Sequence, residues 1–498
     1  MTVPFSSLLD HRAALDPQGR AVSDSARTFS NAELLDRVHA AAFHLRELGI
    51  GPGDVVALKL TNRVEFIVLL FAAWRIGATI TPVNPSLTAG EVARQLDDSR
   101  TKLMVVEPAS ETLDTAAGVP VLDVGELRKV VEPGSSTEPF VDPSALALLI
   151  YTSGTTGVPK GVMLDHANLE AMAQMGLDAF RLDATDTCLL ILPLFHVNGI
   201  AVSVLMPLLA GANVVVASRF HPDTFFDLVE AERPTFFSGV PTIFSMLATM
   251  PAHIRPDTSS VRFAICGAAP APAELLERFE SRFAVPIIEA YGLSEATCGS
   301  TTNPIDGPRM PGTVGLPFPG QELRILGHDG TEVPVGVDGE VVVAGPNVMR
   351  GYLGRPEETD KVLVDGWLRT GDVGHLDDDG YLTLVGRSKE MIIRGGENIY
   401  PKEIEDVLTG DPAVLDAAVI GIPDDMWGEI VVAYVEPEPS EVVDIDALHA
   451  RCATSLSGYK RPLAIHVVDA LPRNAVGKIA KLALRDHHSA SHENEKVS

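Results

Sequence analysis

The run Thr152–Gly161, Thr-Ser-Gly-Thr-Thr-Gly-Val-Pro-Lys-Gly, sets three glycines, four hydroxyls and a lysine into ten residues. It follows the apolar stretch Ala145–Tyr151. A strand that runs into such a loop turns backbone N–H groups toward an anion. The glycines allow close approach, the hydroxyls add donors, and Lys160 adds a mobile positive charge. The chemistry implied is phosphate binding. The spacing departs from the Gly-x-x-x-x-Gly-Lys-Ser/Thr of a P-loop ATPase. Ordinary surface turns favour the same residue types, so the run carries weight only with other segments beside it.

Those segments exist. Tyr291–Glu295 reads Tyr-Gly-Leu-Ser-Glu, and Trp367–Asp372 ends in Arg-Thr-Gly-Asp. Gly386–Glu390, Gly395–Asn398 and Pro472–Lys478 follow, the last as Pro-Arg-Asn-Ala-Val-Gly-Lys. Together, and in this order, they resemble the adenylate-forming superfamily of acyl-CoA synthetases, aryl-CoA ligases, luciferases and adenylation domains. The resemblance runs from about Thr28 to about Arg485 and is strongest toward the acyl-CoA synthetases.

The resemblance implies a role for each motif. Thr152, Ser153, Gly154, Thr155, Thr156, Gly157 and Lys160 would cradle the triphosphate of ATP. Glu295 would bind Mg²⁺, with Thr155 as a helper. Tyr291, Gly292 and the small run Gly267, Ala268, Ala269 would form the adenine slot. Ser294 would bond the α-phosphate or the ribose. Asp372 and Arg387 would grip the ribose, a carboxylate being able to accept both hydroxyl hydrogens of a cis-diol. Lys478 would bridge the acid and the α-phosphate as a point charge. His196 would gate the acyl carboxylate from the thiol tunnel. Lys389 would serve as the hinge, and Asn398 would belong to the face presented in the second half-reaction. Coenzyme A is the implied thiol, with the phosphopantetheine of an acyl carrier protein as the alternative acceptor.

The acid is read from residue types. The stretches Phe195–Leu205, Phe237–Thr242 and Cys266–Ala268 contain no acidic or basic side chain. A dicarboxylate needs a countercharge there, and an amino acid needs a carboxylate. An apolar monocarboxylic acid is therefore expected, medium-chain saturated or enoyl acids leading and aryl acids second. Its walls include His196, Val240, Gly267 and Cys298. A non-catalytic adenylate-binding protein is the remote alternative, and Lys478, Glu295 and Asp372 count against it.

Positioning these residues requires an α/β scaffold. Apolar runs such as Asp54–Leu60, Lys102–Val106, Phe236–Gly239 and Phe263–Cys266 alternate with helical stretches such as Glu65–Ile76, which predicts layered, largely parallel sheets. Gly49–Gly53 precedes a strand, so it predicts a helix-ending turn and not a dinucleotide loop. From Thr313 to Leu384 strands and Gly/Asp turns predict a β-barrel-like subdomain. After Arg387 mixed character returns, with a helix at Pro401–Leu408 and a strand at Val431–Val435. The expected organisation is a large domain at 1–387 (β-rich at 313–387), a small mobile α+β domain at 388–486, and a disordered tail at 487–498.

Composition bounds the partners. The chain has 498 residues and a formal net charge of −28, which exceeds one ordinary core and argues against nucleic acid or anionic membrane. Against that acidity, Arg451, Lys460, Arg461, Arg473, Lys478, Lys481 and Arg485 stand with the single acid Asp469, a surface suited to anions. Cys188, Cys266, Cys298 and Cys452 are widely spaced and predict reduced thiols in a cytoplasmic protein. No signal peptide is evident. Leu189–Ala217 lacks Asp, Glu, Lys and Arg, but Pro193, His196, Asn198, Gly199, Pro207 and Gly211 break it, so strand, helix and strand are expected instead of a membrane span.

Overall fold

The structure is a computed structural model describing residues 3–107, 118–131, 137–152, 159–269, 271–387, 389–395, 397–424, 426–439, 441–473, 479–481, 483–485 and 488, with the backbone alone at Asn398. The chain divides into two compact units, one of residues 1–323 and 343–369, the other of 324–342 and 370–498.

The first unit holds two sheets. One has nine strands in the order Leu316–Pro317, Thr301–Thr302, Ile287–Tyr291, Phe263–Cys266, Phe236–Gly239, Thr187–Leu190, Asn213–Val216, Arg20–Ser23 and Thr28–Ser30. Its middle, from Ile287–Tyr291 to Arg20–Ser23, is parallel throughout. These strands are short and apolar on both faces, as parallel strands covered on both sides must be. Helices Pro222–Glu232, Pro241–Ala248 and Ala273–Phe283 connect successive strands and pack Phe225, Phe244 and Phe279 into one buried cluster with Phe237. The other sheet has seven strands, from Gly351–Tyr352 through Lys160–Asp165, Leu146–Thr152, Thr79–Pro82, Val55–Lys59 and Thr101–Val106 to Val121–Asp123. Helix Val64–Arg75 is buried at every residue except Glu65. Its Trp74 Nε1 donates to Ala147 O at 2.9 Å, which satisfies the one polar atom of a fully buried indole.

Helix starts follow capping chemistry. Ser30 with Glu33 and Thr88 with Glu91 close capping boxes before Asn31–Glu47 and Ala89–Asp98. The expected turn at Gly49–Gly53 is present, with φ of +80° at both Gly49 and Gly53. The charge-free stretch is strand Thr187–Leu190, helical turns from Val197 to Ala210 with a π-helical middle at Ala201–Leu205, and strand Asn213–Val216. Among the described residues no helix is long and apolar enough to cross a membrane.

The stretch expected to be β-rich contains strands Glu322–Leu326, Gly339–Ala344, Trp367–Leu376 and Leu382–Arg387. It also contains a helix, Pro356–Val362, which its polar composition hid. None of its residues is buried, so it has no apolar stripe to reveal it.

In the second unit, Val414–Asp424 and Gly428–Pro437 form a long antiparallel hairpin flanked by Ile392–Arg394 and, in parallel, Ala464–Val467. Period-two alternation divides it into two faces. Ala417, Val419, Val431, Ala433 and Val435 pack beneath helices Pro401–Thr409 and Ile445–Ser455, while Ala418, Ile420, Val432 and Tyr434 meet Leu471 and Leu484. His488 is buried, its Nδ1 2.7 Å from the Tyr434 hydroxyl; the remainder of 487–498 lies outside the described residues.

Lys481 is half-buried and doubly paired. Its Nζ lies 2.9 Å from Glu390 Oε2 and 2.8 Å from Glu405 Oε1. Val419 N also donates to Glu405. Burial holds the Glu405 carboxyl above the usual carboxylate range, while Glu405 and Glu390 hold the Lys481 ammonium above its ordinary value. Lys481→Met should destabilise this unit by about 1.5–3 kcal/mol, the scale of hydrogen bonds to charged groups, here half-shielded from water. A carboxyl whose folded pKa is raised favours folding when protonated, and that support is lost as pH rises through it. The mutant's urea midpoint should therefore fall further below wild type at pH 8 than at pH 5; equal losses would mean that Glu405 is not the group left uncompensated.

Candidate active site

Four neighbouring parallel strands end at the same edge of the nine-stranded sheet. Past Thr187–Leu190 comes the segment with His196. Past Phe236–Gly239 comes Val240. Past Phe263–Cys266 come Gly267, Ala268 and Ala269, and at the end of Ile287–Tyr291 come Tyr291, Gly292, Ser294 and Glu295. The carboxyl edge of a parallel sheet is where such folds form their ligand crevices. Residues a hundred positions apart are thereby gathered.

Small residues at this edge answer to close backbone approach. Gly267 N donates to Gly239 O at 3.2 Å, and a Cβ at Gly267 would stand 3.2 Å from Ala290 O. Ala268 adopts φ +70°. A Cβ at Gly292 would fall 1.7 Å from Cys298 O, an impossible contact. The chain folds back there: Ser294–Ala296 is a single 3₁₀ turn, and Thr297 and Cys298 have φ of +51° and +98°. Burial pushes the Cys298 thiol up to about 12, so it stays protonated.

His196 caps the turn Val197–Ile200, its N–H donating to Pro193 O at 3.1 Å and its ring 4.4 Å from that of Phe195. The segment before it is fixed by Asn62. This buried amide donates to Leu192 O at 3.0 Å and accepts from Leu194 N at 2.8 Å. Ser238 Oγ donates to Asn198 Oδ1 at 3.1 Å across the same edge.

Glu295 is held twice from one later segment. Met349 N donates to Glu295 O, and the Tyr352 hydroxyl donates to Glu295 Oε1, both at 2.8 Å. Burial and the nearby carboxylate push the Tyr352 phenol well above its ordinary value, so it keeps its proton. Lys160 stands 5.0 Å from the centre of the Tyr352 ring and pairs with Glu358. Lys160 and Lys361 bring the Glu358 carboxyl down to about 2. Lys160, expected as a mobile charge, thus has a carboxylate partner here. Thr152 ends its strand opposite Lys160; Ser153, Gly154, Thr155, Thr156 and Gly157 lie outside the described residues.

In the second unit Asp372 and Arg387 face each other across antiparallel strands, with Arg387 Nε 2.7 Å from Asp372 Oδ1. Asp372 is buried, and its N–H donates to Thr370 Oγ1 at 3.0 Å. Lys389 stands in a turn, and Asn398 pairs with Ile393 in the strand Glu397–Ile399. Lys478 lies outside the described residues.

Among the described residues no group of three His, Cys, Asp or Glu could hold a metal ion. A cage of that kind is not what magnesium needs beside a nucleotide: one carboxylate and the phosphates suffice, and Glu295 fits that requirement. The residues that pattern alone could not single out are Asn62, Tyr352, Glu358 and Asn347, a buried amide that donates to Ala296 O and Gly299 O beside Glu295. Each bonds a segment far away in sequence. Asn62→Ala should strand Leu192 O and Leu194 N and cost about 1–3 kcal/mol, read as a lower urea midpoint. Asn62→Asp should recover only part, because a carboxylate can accept from Leu194 N but cannot donate to Leu192 O.

Residues 9–353 match the AMP-binding enzyme family, and residues 403–478 match the AMP-binding enzyme C-terminal domain. A feruloyl-CoA synthase of Amycolatopsis sp is 40% identical over 480 residues, covering 95% of this chain and 97% of the relative. An oxalate–CoA ligase of Arabidopsis thaliana is 38% identical over 508 residues, covering 97% and 98%. The crystal structure of ATP-bound MatB from Rhodopseudomonas palustris is similar with a TM-score of 0.90 at 32% identity, covering 97% of this chain and 99% of that one. The motifs, the layered α/β fold and these matches along nearly the whole length agree: the chain belongs to the AMP-binding enzyme family, as an AMP-forming acid–thiol ligase of the acyl-CoA synthetase type.

Proposed function

We propose that this ligase activates an apolar monocarboxylic acid, medium-chain saturated or enoyl, and transfers the acyl group to coenzyme A. The observation that carries the reading is the residue content of the strand-end segments. Phe195–Leu205, Phe237–Thr242 and Cys266–Ala268 supply no charged side chain, and the polar pair Ser238–Asn198 bonds within itself. Overall similarity does not choose the acid, since relatives of nearly equal identity are named for feruloyl-CoA and for oxalate. An aryl acid is the second reading, favoured by the feruloyl-CoA synthase.

In the first half-reaction the acid's carboxylate oxygen attacks the α-phosphorus of ATP. A P–O bond forms, the α–β P–O bond breaks, and pyrophosphate leaves. Charge builds on the α-phosphoryl oxygens and on the leaving oxygen, so fixed positive charge and backbone donors lower the barrier. In this reading residues 152–157 and Lys160 bind the β- and γ-phosphates, with Ser294 near the α-phosphate. Lys160 exchanges Glu358 for phosphate. Glu295, with Thr155, would hold magnesium, which when bound supplies positive charge against the departing pyrophosphate. Tyr291 and Gly292 with Gly267–Ala269 admit the flat adenine ring, and Asp372 with Arg387 holds the ribose. Lys478 places its ammonium between the acid and the α-phosphate. In the second half-reaction the thiol, deprotonated as it attacks, adds to the acyl carbon and AMP departs. His196 lies between acyl and thiol paths, Lys389 is the hinge, and the 388–486 domain turns to present Asn398. A carrier-protein phosphopantetheine is the competing acceptor.

The test is kcat/KM for pyrophosphate release over straight-chain, enoyl, aryl and dicarboxylic acids. Products with coenzyme A and with a phosphopantetheinylated carrier are compared by mass. Each added methylene should contribute about 0.8 kcal/mol, about fourfold in kcat/KM, until the pocket floor is reached. A second carboxylate should abolish the gain, being buried without a partner. Preference for oxalate, malonate or an amino acid would mean that a countercharge comes from other residues.

A second prediction concerns the ribose. Asp372→Ala should weaken ATP binding by about 1.5–3 kcal/mol, the range for hydrogen bonds to a charged group. Wild type should discriminate against 2′-deoxy-ATP more strongly than the mutant does. An unchanged ratio of the two nucleotides would remove Asp372 from the ribose site.

A further inference from the structure

The loop carrying Glu295 is clamped by residues that cannot themselves reach a ligand. Asn347 is fully buried. Its amide donates to Ala296 O at 2.8 Å and to Gly299 O at 3.0 Å, and Thr297 Oγ1 donates back to Asn347 O at 2.5 Å. These bonds enclose the two left-handed residues, Thr297 and Cys298, whose conformation costs energy and persists only where surroundings over-determine it. The clamp is itself anchored. Asn168 Nδ2 donates to Pro346 O and Val348 O, both at 2.9 Å, and Arg350 N donates to Met163 O at 3.0 Å.

From that rigid segment one group reaches the Glu295 carboxylate: the Tyr352 hydroxyl, 2.8 Å from Oε1. Its own backbone is tied, Tyr352 N donating to Thr359 Oγ1 at 2.9 Å. A free glutamate side chain loses rotamer entropy when it takes up a cation. A glutamate already held by one oxygen has lost it on folding, and the binding step is spared that cost. The hydroxyl also spares Oε1 from competing for water.

We propose that Tyr352 is a positioning residue for magnesium–ATP: its hydroxyl holds one oxygen of Glu295 so that the other is presented to the cation. The inference rests on the assignment of Glu295 to magnesium made above. It concerns binding, not chemistry, so a readout without turnover can test it.

Tyr352→Phe removes the hydroxyl and keeps the ring beneath Lys160. Isothermal titration of wild type and Tyr352→Phe with ATP, once in excess magnesium and once in EDTA, gives the gain in affinity that magnesium supplies to each. The mutant should lose about tenfold of its magnesium–ATP affinity, the scale of one hydrogen bond to a charged group. Its affinity for ATP in EDTA should stay within about twofold of wild type. Equal loss in both conditions would mean a general structural role and overturn the proposal, as would no loss in either. A wild type whose ATP affinity is indifferent to magnesium would instead overturn the Glu295 assignment, and the proposal with it.

Discussion

Parallel strands joined by crossovers all point the same way, so all their carboxyl ends share one edge. Most of the site in the first unit depends on that constraint. His196, Val240, Gly267 and Tyr291 come from four separate stretches, yet each follows or closes a strand of the same parallel run. The close spacing of neighbouring strands also limits what can stand at their ends. A Cβ at Gly292 would collide with Cys298 O, and one at Gly239 or Gly267 would be tighter than ordinary contact, so glycine stands at these three positions. Contacts such as Gly267 N to Gly239 O then become feasible. Small residues at an edge leave room for a flat ring, which links the packing constraint to the adenine slot proposed here.

The second device is rigidity supplied from a distance. Glu295 sits on a loop with two left-handed residues, a conformation that no local preference would select. Asn347 satisfies the loop's carbonyls where they are buried. An unmade hydrogen bond there costs more than a made one contributes, so removing one buried amide is felt at several groups together. Asn62 does the same for the segment before His196. The segment before His196 and the loop of Glu295 are thus each braced by one buried amide from an element outside it.

The second unit resolves a different conflict. Its hairpin packs apolar residues on both faces, and the same unit holds the half-buried ammonium of Lys481. Two carboxylates meet it, one from the turn after Arg387 and one from helix Pro401–Thr409. The arrangement ties Glu390, next to the proposed hinge residue Lys389, to the segment that follows Lys478. A half-buried cluster of this kind is weak evidence for net stability and stronger evidence for a defined geometry, because its partners tolerate few alternatives.

The sequence by itself determined the ordered motifs and the elements that periodicity writes plainly. Val64–Arg75, Phe236–Gly239, Phe263–Cys266 and the breaks in the charge-free stretch are all legible, because apolar spacing and Gly/Pro placement act locally. It also determined that the segments proposed to bind the acid are uncharged. Pattern missed Pro356–Val362, a helix with no buried face, and it left Lys481 as one basic residue among several. Tertiary structure decided those, and it decided that Tyr352 meets Glu295 and that Lys160 meets Glu358. Such contacts join residues 57 and 198 positions apart. A hydrophobic face repeats along the chain and so announces itself, whereas a single buried hydrogen bond has no period and becomes visible only when the strands that bring its two ends together are in place.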